Sequence, residues 1–286
     1  MSEVTAGPGI ARRDLLVVAA AATAGIATAR PRRAAGRESG ARPGPAASAP
    51  AASKPAAKEL PGSVIGRVLY DGKPPVPEAI DCSADPQCAQ LYRKEPLTRE
   101  VLLVSKDRRL QNVFVSVKRG PGKDQKWPIP AEPVVLDQKG CRYLPHVFGV
   151  MAGQPLDILN SSRIHEVPHG YPERNPEFSF SLPKKGMKET IVLTEPEAFK
   201  IKCDVHPWES TWCHVMAHPF WAVSDAKGEF VVRGLEPGYY ELEFWHEHWS
   251  LGRQTKRIRV EPDKPTRIDA VVFKPGKRPR SRPARS

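Results

Sequence analysis

The chain has 286 residues, of which 40% are hydrophobic, and a formal net charge of +12 at neutral pH. That charge sits at the ends: residues 1–60 hold nine Lys and Arg against four acids, and 274–286 hold six against none, together +11 of the total. The body between them is close to neutral and has no apolar run of membrane-spanning length, so neither a nucleic-acid partner nor a transmembrane span in the mature chain is expected.

Near the N-terminus, Arg12 and Arg13 precede an Ala-rich apolar stretch from Leu15 to Ala29, and Ala27-Thr28-Ala29 has the small-x-small pattern of a signal-peptidase site. Residues 1–29 therefore resemble a twin-arginine export signal, the apolar part being shorter than the roughly 20 residues a membrane span needs. A periplasmic or extracytoplasmic protein starting near Arg30 is expected. Residues 30–60 are rich in Pro and Ala and lack the apolar side chains to build a core, the composition of a flexible tether. The basic, Pro-containing segment 274–286 is expected to be a disordered tail.

From Pro61 onward, short runs of β-branched and aromatic residues alternate with turn signals: "SVIGRVLY", "EVLLV", "NVFVSVK", "EPVVLD", "QPLDILN", "EFSFSL", "ETIVLT", "AFKIKC", "EFVVRG", "YYELEFW", "KRIRV" and "RIDAVVF". No stretch of helical period and ordinary helix length competes with them. "DAKG" turns a hairpin into "EFVV", and Pro237-Gly238 turns the chain into "YYELEF". The pattern predicts an all-β chain of two sandwiches, 61–216 and 217–273, with the boundary near Ala217 to Val223.

The segment from Gly228 to Glu247 resembles the GxFxxxxLxPGxYxLxxWHE pattern of carboxypeptidase regulatory-like (transthyretin-like) domains that follow a cupredoxin-like domain in bacterial exported proteins labelled methylamine-utilisation or plastocyanin-like. "DPQC", "LQNVFVSVK", "LDQKGCRYLPHV", "GQPLDILNSS", "FSFSLPKKGMK", "CDVHPW" and "HPFWAVSDAKGEF" extend the resemblance over about 62–273. It implies a cupredoxin-like Greek-key β-sandwich followed by a smaller transthyretin-like sandwich. It also implies a metal site, with copper as the expected ion and zinc as the alternative.

A blue-copper site needs two imidazoles and a thiolate in a plane, plus a weak axial ligand. In the resemblance Cys203 and His206 supply the late pair, delivered by "AFKIKC". For the early ligand the family pattern reads NSxxxxHNVH, and an ungapped alignment puts Glu166 where the first His belongs and His169 on the second, with His165 one position early. Any of the three is a candidate. Successive strand residues face opposite ways, so His165 and Glu166 are not both expected to reach one ion unless this segment is a loop or bulge. The family's HPWM becomes His206-Pro207-Trp208-Glu209 here. A carboxylate at the axial place pulls the site from blue-copper geometry toward tetragonal copper or zinc, with Met216 and Met187 as alternative axial ligands.

Five cysteines leave one unpaired in an oxidising compartment. The resemblance pairs Cys88 with Cys141, which leaves Cys82 for Cys213 and Cys203 as the free thiol; two other pairings of the four are equally allowed by sequence. Trp208 and Trp212 are expected to fill core or shield the site. His146, His214, His218, His246 and His248 are expected at interfaces or behind ligands, with His246 closest in expectation to the metal end. No GxSxG, HExxH or related arrangement supports an enzyme. The resulting reading is a periplasmic cupredoxin-like metal-binding protein for electron transfer or metal handling, working with a periplasmic redox or envelope protein. Its rival is a metal-free β-sandwich binding or structural module.

Overall fold

The computed structural model describes residues 62–276, so the expected export signal (1–29), the expected tether (30–60) and residues 277–286 of the expected tail lie outside the described residues. Strands dominate, and they gather around two hydrophobic cores.

The first core lies between two sheets. One is built on β1 (Val64–Tyr70), which pairs with β13 (Glu229–Val232), β16 (Thr266–Arg267) and β17 (Val271–Phe273). The other has the order β12 (Trp221–Val223), β2 (Phe114–Arg119), β14 (Gly238–Trp245), β15 (Arg253–Val260). Alternation works as period-2 patterning requires: Val64, Val68 and Tyr70 face inward from β1, and Tyr240, Leu242 and Phe244 do so from β14.

The second core lies between a sheet of order β4 (Tyr143–Leu144), β3 (Val134–Gln138), β6 (Pro155–Asn160), β9 (Lys188–Val192) and a five-stranded sheet of order β5 (Val147–Met151), β11 (Ser210–Met216), β10 (Ala198–Cys203), β7 (Pro168–Tyr171), β8 (Phe178–Ser179). Parallel pairs (β3 with β6, β5 with β11) mix with antiparallel ones. β5 is buried at every position, because one face meets this core and the other meets the first body. The all-β sandwich architecture expected from sequence is the architecture seen.

The linear division at 216/217 does not follow the strand pairing. β1 and β2 lie before it, yet both complete the sandwich of β12 to β17. The physical reason is burial: so short a stretch as 217–273 cannot cover both faces of its own sheet, and two early strands supply the missing half. The second body is thus an insertion between β2 and β12. "EVLLV" is no strand and makes an isolated bridge, Val104 with Leu110, beside a backbone bond from Gln111 N–H to Leu103 O (3.1 Å), while "EFSFSL" shrinks to the two residues of β8.

At the joint, His214 stacks on Phe114 (ring centroids 3.8 Å) and meets Trp245 edge-on, beside Trp221. Burial drives the His214 pKa down to about 3, so it serves as a neutral aromatic there. A single helix, α1 (Pro86–Leu91), lies in the long connection from β1 to β2. Residues 78–100 of that connection fold as a cap: Ile80 N–H donates to Leu97 O (2.7 Å), Arg99 N–H to Glu78 O (3.0 Å), and Cys82, Cys88, Leu97 and Cys141 pack with Ile164 and Trp208 in a small third cluster. Among the described residues no helix is long and apolar enough to cross a membrane.

Candidate metal centre

The cap covers the end of the second body where four potential ligands converge. Glu166, Cys203, His206 and Glu209 are all buried, with ligand atoms within 4.8 Å of one another. Each arrives for a local reason. Asn160, closing β6, donates to the carbonyls of Ile164 (2.9 Å) and Leu182 (2.7 Å) and accepts from Ser162 N–H, folding the "NSS" loop back on itself. A bridge between Glu166 and Leu182 then fixes the backbone of Glu166, whose side chain points inward at 0% exposure. His165, its neighbour, faces solvent and bonds Ser181 Oγ at 3.0 Å. Alternation thus separates the two as a strand should.

Cys203 ends β10 on the inward face, after Phe199 and Ile201. The turn that follows is closed by Cys203 N–H to Glu209 O (3.3 Å) and Glu209 N–H to His206 O (2.9 Å), which swings His206 and Glu209 back over the thiol. His206 Nδ1 lies 3.6 Å from Cys203 Sγ, 3.0 Å from Glu166 Oε2 and 3.5 Å from Glu209 Oε1, and Sγ lies 3.4 Å from Glu166 Oε2. Gln138, ending β3, donates from Nε2 to both carboxylates, Glu166 Oε2 (2.9 Å) and Glu209 Oε2 (3.3 Å). Nothing local in "LDQKGCRYLPHV" marks Gln138 for this role. On the other side of the ring, His206 Nε2 is 3.5 Å from Asp85 Oδ2 of the cap, equally unforeseen.

Two carboxylates with almost no exposure share this space, and Oε1 of each has no hydrogen-bond partner. Buried charge of one sign is costly unless a cation or proton offsets it. Burial by itself would lower the His206 pKa. The hydrogen bonds with Cys203 and Glu166 and the charges of both glutamates outweigh it, pushing the value up to about 11. Burial, then the charge of Glu166, push the Glu209 carboxyl up to about 8. At neutral pH the metal-free cluster is therefore held by protons: an imidazolium and an un-ionised Glu209.

The donors fit an ion in place of those protons. Four ligands at bonds of about 2.0–2.3 Å around a tetrahedral centre stand about 3.3–3.8 Å apart; here the three separations from His206 Nδ1 and the one from Cys203 Sγ to Glu166 Oε2 run from 3.0 to 3.6 Å, and all four donors lie within 4.8 Å of one another. One sulfur, one nitrogen and two oxygens suit zinc-type coordination. They do not make the two-imidazole plane of blue copper, because no second histidine reaches the cluster. His169, on β7, turns to the surface, with Nδ1 on Asp204 (2.9 Å), Nε2 on Glu177 (2.6 Å) and its ring against Tyr171. Met187 is exposed, and Met216 ends β11 at the opposite end from Ser210, the residue next to Glu209.

Of the six candidate ligands, then, Cys203, His206, Glu166 and Glu209 come together, while His165 and His169 do not. Cys88 and Cys141 form the disulfide, and Cys203 is free. The pairing of Cys82 with Cys213 is not made: Cys82 lies in the cap cluster and Cys213 in the middle of β11, inside the second core. His146 reaches Glu247 across the joint, and Glu247 also accepts from Trp212 Nε1 (2.9 Å). His246 packs near Phe273 on the first body, away from the cluster, and Trp208 lies partly buried over His206. A cavity of about 320 Å³ opens beside the site, with Cys203, Trp208, Glu209, Arg142 and Lys202 in its wall.

No protein-family model matches the chain, and no curated protein matches it either. Several solved structures align with part of it. The Cu-containing nitrite reductase of Thermus scotoductus SA-01 is 20% identical over 35% of this chain and 27% of that one, at a TM-score of 0.26. A mutant of amicyanin in its Cu(I) form is 20% identical over 29% of this chain and 81% of that one, at 0.27. A purple cupredoxin from Nitrosopumilus maritimus is 17% identical over 30% of this chain and 99% of that one, at 0.25. Likeness at this level extends to neither ligands nor function.

Proposed function

We propose that this chain is an exported cupredoxin-like protein that holds one transition-metal ion through Glu166, Cys203, His206 and Glu209 and serves in metal handling rather than fast electron transfer. The observation that carries the reading is the pair of buried carboxylates whose Oε1 atoms accept no hydrogen bond, gathered with one thiol and one imidazole nitrogen so that the four donors lie within 4.8 Å of one another. Zinc suits the donor set directly. Copper is the alternative occupant, in a non-blue site, since carboxylate oxygens replace the second imidazole and the thioether. Low reorganisation on electron transfer depends on those two softer groups, hence the preference for handling over transfer. Export is supported by Arg12-Arg13 and by the disulfide Cys88–Cys141, a bond that persists in oxidising compartments. The first body, with the Gly228 to Glu247 pattern, is read as the regulatory-like domain, completed here by β1 and β2.

A metal-free module is the rival, favoured by the way His206 as imidazolium already offsets part of the carboxylate charge. Protein purified without chelator and analysed for metals decides between them. One equivalent of zinc or copper is expected, falling below a tenth in Cys203→Ser. No bound metal, and no uptake of either ion on dialysis, would leave the metal-free module.

A further inference from the structure

We propose that Asp85 is the outer carboxylate that fixes His206 as a ligand, and that the disulfide Cys88–Cys141 clamps it in place, so that affinity for the ion is set from the cap as well as from the site strands. This rests on the metal reading above. His206 offers Nδ1 to the other three donors and turns Nε2 to Asp85 Oδ2 at 3.5 Å. A ligating imidazole needs its second nitrogen protonated and directed, and a carboxylate behind it supplies both orientation and basicity.

Asp85 is itself held. Its Oδ1 accepts the backbone N–H groups of Gln87 (2.8 Å) and Cys88 (2.9 Å) as the N-cap of α1, which leaves Oδ2 free for His206.

The helix is tied twice to one turn of the second body. Cys88 is bonded to Cys141, and Tyr92 at the C-cap donates its hydroxyl to Gly140 O at 2.6 Å. That turn begins just after Gln138, the residue that donates to both Glu166 and Glu209. A single tight turn therefore anchors the amide that orients the carboxylates and the helix that orients the imidazole.

The test compares wild type, Asp85→Asn, Cys88→Ala with Cys141→Ala, and the triple variant, each titrated with Co²⁺ and with Zn²⁺ against a competing chelator. Asparagine keeps the cap and removes the charge. Asp85→Asn should weaken binding 10- to 100-fold while keeping the thiolate-to-cobalt band at saturation, which shows that the inner donors are unchanged. The cysteine variant should weaken binding in the same direction. The triple variant should be little worse than Asp85→Asn, because both changes act through one contact.

Binding by Asp85→Asn within twofold of wild type, or losses that multiply fully in the triple variant, would overturn the proposal. A metal-independent reading separates it from the metal hypothesis. In metal-free protein, the His206 Nε2 nitrogen resonance should move in Asp85→Asn and in the cysteine variant alike. Wild type that binds neither ion would sink the metal site, and the resonance would then decide whether Asp85 fixes the ring. An unmoved resonance would mean that it does not.

Discussion

Glu209→Gln should make the metal-free protein more stable while weakening its hold on metal. In the folded chain the Glu209 carboxyl titrates at about 8 against an ordinary 4.5, because it is buried beside Glu166. With the folded value raised, its contribution is fully present below pH 4.5 and is lost as the pH climbs through 8. At pH 7 the unfolded chain gains from ionising this group by about 2.5 pH units, on the order of 3 kcal/mol. Glutamine has the size of the un-ionised acid and can still bond Gln138, but it cannot ionise. The variant should therefore gain about 3 kcal/mol at pH 7, or about 6–12 °C in Tm for a body of this size, and nothing at pH 4.5. Urea and thermal unfolding of chelator-treated protein at pH 4.5, 7 and 8.5 measure this. With Zn²⁺ saturating both proteins the gap should close by RT ln of the ratio of their Kd values, and the order reverses once Glu209→Gln weakens binding by more than about 160-fold. If the two metal-free proteins differ equally at pH 4.5 and pH 7, Glu209 is not being held against its charge, and the case built on opposed buried carboxylates fails.

Loaded with Cu²⁺, the wild type should be green or yellow; Glu166→His should shift intensity toward the red-end thiolate band by restoring a second imidazole, and Cys203→Ser should lose thiolate charge transfer altogether, all read by absorption. Metal affinity should rise with pH, because His206 and Glu209, with values of about 11 and about 8, each carry a proton at neutral pH that the ion displaces, and the Cys203 thiol that donates to Glu166 gives up its own on becoming a ligand; at least two protons imply at least about a hundredfold loss of affinity from pH 7 to pH 6, measured by chelator competition, and a change below threefold would contradict it. Peptide mapping without reduction should recover Cys88 linked to Cys141 with Cys82, Cys203 and Cys213 alkylated only after unfolding, and removing the bridge across its 53-residue separation should cost about 4 kcal/mol by loop entropy. Gly149→Ala should destabilise the joint by about 1–3 kcal/mol in urea titrations, since a Cβ there would stand 2.7 Å from the Trp221 ring.

What the sequence makes legible here is what local rules govern. Alternation along "AFKIKC" places Cys203 inward, and the same rule turns Glu166 in when His165 turns out. What stays illegible depends on pairings between distant segments. β1 reads as a good strand, but nothing within "SVIGRVLY" says that its partner is "EFVV" rather than a nearer run. The pairing of Cys88 with Cys141 that the resemblance implies leaves Cys82 to Cys213, whereas burial in two separate clusters keeps both as small apolar side chains. "DPQC" carries an Asp N-cap and a Pro in the first turn, a readable sign of α1, yet the second use of Asp85 appears only when the cap is folded over His206. The same holds for Gln138, an ordinary polar strand end until two carboxylates arrive beneath its amide. Site strands alone would bring two glutamates, a thiol and an imidazole together with too few donors to keep them there. The connection between β1 and β2 supplies Asp85, the Cys88 half of the disulfide and the Tyr92 hydroxyl, and so the first body, whose strands flank that connection, helps to hold a site that none of its own strands contains.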